Sequence, residues 1–483
     1  FTNQKDLFDA YWKTKRTAIT AARSTFGELW PHAMRHLASS MSERQELSVP
    51  KGVMDEFPPE FLDCLSSEGV LTGDGRRYGF GHESFFDYCF ARSQPNGGRD
   101  FARFLETDEQ RLFRRAQLRQ VLAFLRDDDL ASYLESVRHL LCSKNIRPHL
   151  KLLSVDLVAS QPEPCDDELV LLMPWIESEI ASRRSGALNP DALASRILDK
   201  FLSSRTLFPV ADRMGILHRW LHSGEPLLEN IVCSYFRWQA VLHADRIAEL
   251  LEPFAGKGGD WKNRLRYIME GDNLENGRRY FNLFLRLLED GTLDDARDRF
   301  ASNGTFWLML HGLAIKRPAW CAELAARWLD RRVSIAAALP NQEHSARSLL
   351  DDEFGNDELF TSAKGNAPVF LEYVLPSILS ASKIFIYKDS CDEFPRDRLW
   401  LMRFQSEHLT QTEAYLGACE TAIGIIGRQS PELLRPFIAL LRVHKLYTAN
   451  QLLMGAYFSA PAIFSNEALR LLVDEPERLH CGY

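Results

Sequence analysis

From about Asp100 to its end, this 483-residue chain carries almost no strand signal, and that long stretch constrains the fold more than any motif. Apolar residues recur at three- and four-residue steps through segments of about 12 to 20 residues, the period of a helix with one buried face. Examples are Leu118–Phe124, Leu150–Val158, Ile216–Leu221, Ile247–Leu251, Phe281–Leu288, Trp320–Leu329 and Ala414–Ile426. Pro148, Pro162, Pro226, Pro318, Pro431 and Pro461 stand where one pattern stops and the next begins. A residue without an N–H does least harm there. Antiparallel helix pairs in this style stack into an α-solenoid, because each pair carries an apolar face that only its neighbour can cover. Their lengths vary between roughly 30 and 47 residues, within the range of known helical repeats, but no strict repeat emerges. Degenerate repeats and a single irregular all-helical domain are both compatible with this text.

The first hundred residues read differently. Two helical patterns come first, one through Leu7, Phe8, Tyr11, Trp12 and Ile19, the other through Phe26, Leu29, Trp30, Met34 and Leu37. Ser48–Gly52 reads as a break, and a short helix over about Pro59–Glu68 buries Phe61, Leu62 and Leu65. Asp74-Gly75 then marks a tight turn between two short strands. Ser84 and Asp87 have the spacing of a capping box, so a helix is expected to begin at about Ser84. His82 falls just before that start, where free N–H groups and the helix dipole favour an anion such as phosphate. Helix, helix, hairpin and helix in this order make a winged helix. The expected fold is therefore mostly α: a helical linker and winged-helix domain over 1–99, then a helical-repeat array. The array's first part spans 100–340 and its second part 341–483, interrupted by polar stretches at Asn341–Asn366 and Tyr387–Arg396. Such loops serve as partner contacts or as plain surface insertions.

The residues around His82 also carry a family resemblance. Phe80, His82, Ser84, Phe85, Asp87 and Tyr88, with Ala91 beyond them, resemble the aromatic-rich Phe-x-His-x-Ser-Phe-x-Glu-Tyr/Phe motif in the winged helix of NACHT-type STAND NTPases, with Asp87 in place of the more usual Glu. The opening Leu7–Lys15 is similar to the helix that follows the NTPase core in bacterial members of the family. The match covers about the first hundred residues. It implies that His82 reaches the phosphates of an ATP or ADP, with its Mg, bound by an upstream NTPase domain, and so holds the protein closed. It also implies a role in AVAST-like antiviral defence: a trigger protein, from a phage or elsewhere, binds the repeats, the NTPase oligomerises and an effector domain fires. His82 is the one cofactor-contacting residue this reading assigns.

No Gly-x-x-x-x-Gly-Lys-Ser/Thr phosphate loop occurs in the sequence. Gly256-Lys-Gly-Gly-Asp260 lacks the first glycine and the magnesium-holding hydroxyl, and reads as a loop between helices. The chain opens on Phe1 rather than Met, so the expectation is the part of a larger P-loop ATPase beyond its catalytic core, with no catalytic residue and no nucleotide bound by this chain alone. A formal net charge of -8 argues against a general nucleic-acid-binding surface. Nine cysteines stand singly, in no zinc-ligand or disulfide pattern, as expected of a cytoplasmic chain. Most read as small apolar fillers, Cys142 among them. No apolar run approaches a membrane span.

Each remaining candidate has a plain reading beside a sharp one. His82 is either a phosphate sensor or a structural histidine at a strand–helix corner. Arg76 and Arg77 on the hairpin could touch DNA, but fit a domain contact better. Arg111, Arg114, Arg115 and Arg119 read as a solvated basic helical face, with an inter-domain or effector contact as the sharper alternative. His218 and His222 have metal-ligand spacing but no third ligand, so no metal is assigned. Tyr235, Phe236 and Trp238, like Phe306 and Trp307, read as core packing. A stand-alone α-solenoid protein-binding scaffold and a winged-helix DNA-binding regulator are the rival functions.

Overall fold

The computed structural model describes residues 4–94, 99–186, 192–270, 273–293, 304–338, 356–384, 386, 397 and 411–480. Helix dominates, as the periodicity requires. The chain divides by packing into two compact units, Phe1–Ser223 and Gly224–Tyr483.

The first unit opens with α1 (Gln4–Ala22) and α2 (Ser24–Arg44). Phe8, Trp12 and Ile19 of α1, and Phe26, Trp30, Met34 and Leu37 of α2, turn inward at helical spacing, while Leu7 stays exposed. Pro31 sits inside α2 without ending it. The chain leaves α2 through Gln45 in the left-handed region, at φ 52°. The expected break at Ser48–Gly52 is in fact a short strand, β1 (Val49–Pro50), running into a 3-10 turn at Lys51–Met54. Proline escapes strand prediction, yet it is tolerated on an edge where its missing N–H has no ladder partner. Helix α3 (Pro59–Ser67) buries Phe61, Leu62 and Leu65 as expected.

Strands β2 (Leu71–Gly73) and β3 (Arg77–Phe80) pair antiparallel, and β1 adds to the other side of β3. The sheet order is β1-β3-β2, so the last strand in sequence is the central one. Asp74 builds the turn by accepting the N–H groups of Arg76 and Arg77 at 3.0 Å each, with Gly75 at φ +91° beside it. Gly81 then lets the backbone close on Val70, its N–H donating to that carbonyl at 2.8 Å. A Cβ at Gly81 would fall 2.1 Å from the Gly69 carbonyl oxygen, so no larger residue fits.

Helix α4 (Glu83–Ser93) follows and packs on α2, on β3 and on α6 (Phe113–Asp128). Between α4 and α6 lies α5 (Arg99–Thr107), and α7 (Leu130–Cys142) and α8 (Pro148–Ala159) continue the stack. Helix α9 (Asp166–Ser185) keeps Pro174 in its interior. Cys142 is exposed at the end of α7 rather than a core filler, whereas Cys89 is buried.

The second unit is built from consecutive packed helices. Helix Pro226–Leu251 rests on Asp260–Met269 and Arg278–Glu289, and Pro318–Ala337 on Ala367–Ile384. Gly256–Gly259 forms the loop between two of these helices, three of its glycines at positive φ. Pro226, Pro318 and Pro461 each open a helix, and Pro431 a 3-10 turn, as read from the sequence. Tyr235 and Phe236 are buried, but Trp238 is 72% exposed, which corrects the reading of all three as core. At about 100° per residue, Trp238 shares the outer face with exposed Val241 and Leu242. The Phe306 and Trp307 side chains, the segment 341–355 and Tyr387–Arg396 lie outside the described residues. The remainder of the expected Asn341–Asn366 loop is a helix, Asn356–Gly365, opened by acidic Asp357 and Glu358. Its short polar composition hid a helix whose apolar face is only Leu359 and Ala363.

Candidate functional site

His82 stands at the corner between β3 and α4, exposed, as the N-cap residue in extended conformation (φ -140°, ψ 127°). Its Nδ1 accepts the Ser84 N–H at 3.2 Å. Its carbonyl takes the N–H groups of Phe85 at 3.0 Å and Phe86 at 3.3 Å. Helix α4 thus begins one residue before the expected Ser84, and the cap is the imidazole rather than a Ser84–Asp87 box. An Nδ1 that accepts must carry a lone pair, so the neutral ring holds its proton on Nε2. The cap thereby fixes the tautomer and leaves Nε2–H as a hydrogen-bond donor at the surface. The Phe8 ring, 6.3 Å away, flanks the imidazole.

The rest of the motif turns the other way. Phe80, Phe85 and Tyr88 are buried. Phe85 stacks on Tyr88 at 5.7 Å and meets Tyr11 edge-on at 4.7 Å. Phe8 and Phe80 close on the same ring at 6.0 and 5.7 Å. The Tyr88 hydroxyl donates to Asp9 Oδ1 at 2.5 Å, and burial, followed by that carboxylate, holds the phenol proton tightly. Arg92 Nη1 donates to Tyr88 Oη at 2.9 Å and to Asp9 at 3.1 Å. Lys5 lies 3.4 Å from Asp128 and 3.5 Å from Asp127, and these with Asp9 outweigh its burial and raise its pKa. The aromatic motif therefore ties α4 to α1 and α6. Sequence reasoning missed this network; the Tyr88–Arg92 spacing of one helical turn is the only trace it leaves.

Asp87 is 6% exposed and faces α6. Burial, with the Glu83 carboxylate adding to it and Arg119 opposing, pushes its pKa up to about 7. It cannot cap a helix from there.

The other candidates resolve case by case. Arg77 is committed inside the sheet region: Nε donates to Ser48 Oγ at 2.8 Å, and Nη2 to Glu46 and the Ser48 carbonyl. Only Arg76 remains exposed on the turn. The expected basic face holds for three of its four arginines, exposed at four-residue steps, and fails for Arg114. Arg111 precedes α6 and pairs with Glu109, Arg115 and Arg119 are exposed, and Arg114 is 1% exposed. Arg114 donates to Asp108 at 2.7 Å, Ser42 at 2.7 Å and Gln117 at 2.6 Å, with its guanidinium 5.0 Å from the Phe104 ring. His222 and His218 stack at 4.1 Å, and among the described residues no three His, Cys, Asp or Glu side chains could hold a metal ion.

No known family's profile matches this chain, and no curated protein does. A crystal structure of an engineered protein aligns over 92% of this chain and 98% of its own at 11% identity, with a TM-score of 0.28, too low to carry an argument. Among the described residues no helix is long and apolar enough to cross a membrane.

Proposed function

We propose that this chain is the regulatory, trigger-sensing part of a STAND NTPase. In this reading the sheet-bearing region is a winged helix that clamps the nucleotide state, and the following helices are a solenoid that binds an activating protein. The observation that carries it is His82, whose Nδ1 is spent on the cap while Nε2–H is presented at a helix N-terminus. The surroundings favour a sensor over a binding site. Glu83, the next residue, is exposed, and one donor beside a carboxylate cannot hold a nucleotide by itself. It can add one charge-assisted hydrogen bond, about 1.5–3 kcal/mol, to a phosphate that an upstream domain already holds. That is a factor of about 10 to 150 in the closed-to-open ratio. Moving a switch from nearly all closed to nearly all open takes about 5.5 kcal/mol, and because the His82 bond favours the closed state, trigger binding to the helical array must supply all of it. The early commitment of Arg77 to Glu46 and Ser48 weakens the DNA-binding alternative.

The test is the sequence encoded upstream of Phe1 together with two variants. A Gly-x-x-x-x-Gly-Lys-Ser/Thr loop there, with His82→Asn weakening nucleotide retention by the whole protein about tenfold, supports the reading. Asn caps a helix as well as His does here but lacks the reach of Nε2. A start codon at or near Phe1, or full nucleotide retention in His82→Asn, overturns it.

A further inference from the structure

A cavity of about 490 Å³ opens between α5 and α7, apart from the His82 corner, and nothing in the reading above uses it. Its wall is acidic: Asp100, Asp129 and Glu135 against a single guanidinium, Arg103, with His139 and Ser136 completing it. Two hydroxyls near it are satisfied. Ser132 Oγ donates to Asp129, and Ser143 Oγ to Glu106, which also lies 3.2 Å from His139 Nε2. Ser136 is different. It is 4% exposed, it lines the cavity, and its Oγ has no hydrogen-bond partner. A buried hydroxyl left unmade costs about 1–3 kcal/mol, so its persistence on a polar cavity wall points to a missing partner.

The chemistry of that partner follows from the wall. Three carboxylates to one guanidinium disfavour an anion. A divalent ion needs a compact ligand set, and among the described residues no three acidic, His or Cys side chains are close enough to form one. Both Asp129 oxygens already accept from Ser132, so this carboxylate contributes charge rather than a ligand bond. An alkylammonium group suits what remains: its N–H donors reach a hydroxyl and spread carboxylates, and its apolar stem passes Ala102. We propose that the cavity between α5 and α7 binds a primary ammonium group, Ser136 Oγ accepting at its wall within the field of Asp100, Asp129 and Glu135. The group arrives either as a free small amine or as a lysine side chain of a partner protein, and this holds whether or not the NTPase reading does.

The experiment is calorimetric titration of the purified full chain with n-butylammonium, and with a five-residue Gly-Gly-Lys-Gly-Gly peptide blocked at both ends. Their neutral counterparts, 1-butanol and the norleucine peptide, serve as controls. Saturable binding with a dissociation constant on the order of 1 mM is expected for both cations. It should weaken at least about fivefold in Ser136→Ala and in Glu135→Gln, the scale of one hydrogen bond or one nearby charge. Equal affinity for the two cations assigns the cavity to a free amine; a peptide several-fold tighter assigns it to a partner's lysine. Ser136→Ala removes an unpartnered hydroxyl and should unfold at the same or a higher denaturant concentration, so misfolding cannot imitate loss of binding. No saturation by either cation, equal binding of the neutral counterparts, or unchanged affinity in Ser136→Ala overturns the proposal.

Discussion

The entrance to α4 and the entrance to α6 both present a nitrogen-bearing side chain at a helix start, and they are built in opposite ways. At the first, His82 is exposed and spends one ring atom on a backbone N–H, keeping the other outward. At the second, Arg114 is 1% exposed and gives its donors to Asp108, Ser42 and Gln117. The difference teaches which residue has a task left over. A side chain whose hydrogen-bonding capacity is fully used inside the protein is there for the fold; one with an outward donor can be read by something else.

Substitutions sharpen that contrast, beginning with the largest effect. Arg114→Ala should cost about 3–5 kcal/mol, seen as a lower urea midpoint, because it strands Gln117 and Asp108 beside a cavity. A loss below about 1 kcal/mol would erase the distinction between the two helix entrances. Asp87→Asn should stabilise the chain, and do so in a pH-dependent way. Its native pKa of about 7 lies well above the ordinary aspartate value, so the native state holds the proton more tightly. The carboxylate's cost to stability therefore grows as pH rises from about 4 through 7, toward about 4 kcal/mol at most. The variant's gain in unfolding free energy should be about 2.5 kcal/mol greater at pH 8 than at pH 5; a flat difference would contradict the burial argument. His82→Ala removes a helix cap and should cost about 1 kcal/mol. His82→Asn should cost close to nothing, since Asn is itself a good cap. If both His82 variants lost several kcal/mol, the corner would be part of the core after all.

Much of this was legible in the sequence. Helical period, proline punctuation and the Asp74-Gly75 turn located the helices and the hairpin, because those signals are local. Long-range facts were not. Pro50 disguised a strand whose partner, β3, lies 27 residues on in sequence. Arg114 looked solvated because its charge is visible in the text while Asp108, Ser42 and Gln117 converge on it only in space. Trp238 looked buried because an aromatic among aromatics suggests a core, although its angle on the helix puts it outside. His82 was legible as a corner residue, but its tautomer required the geometry of Ser84. The acidic cavity of α5 and α7 left no sequence trace, since its carboxylates are ordinary helix-surface residues one by one.

The sheet order has a consequence for how this region comes into being. Strand β3 is made last and sits in the middle, so β1 and β2 leave the ribosome with no partner for either. The ring that stitches Phe8, Tyr11 and Phe80 together is Phe85, which arrives later still. Contacts among α1, α2 and α3, such as Trp12 on Trp30 and Phe26 on Phe61, do not need it, but the seam to α4 does. The seam that joins α1, the sheet and α4 closes only once Phe85 is made, so a chain cut just short of it would keep α1, α2 and α3 and lose the ring that joins them to the sheet.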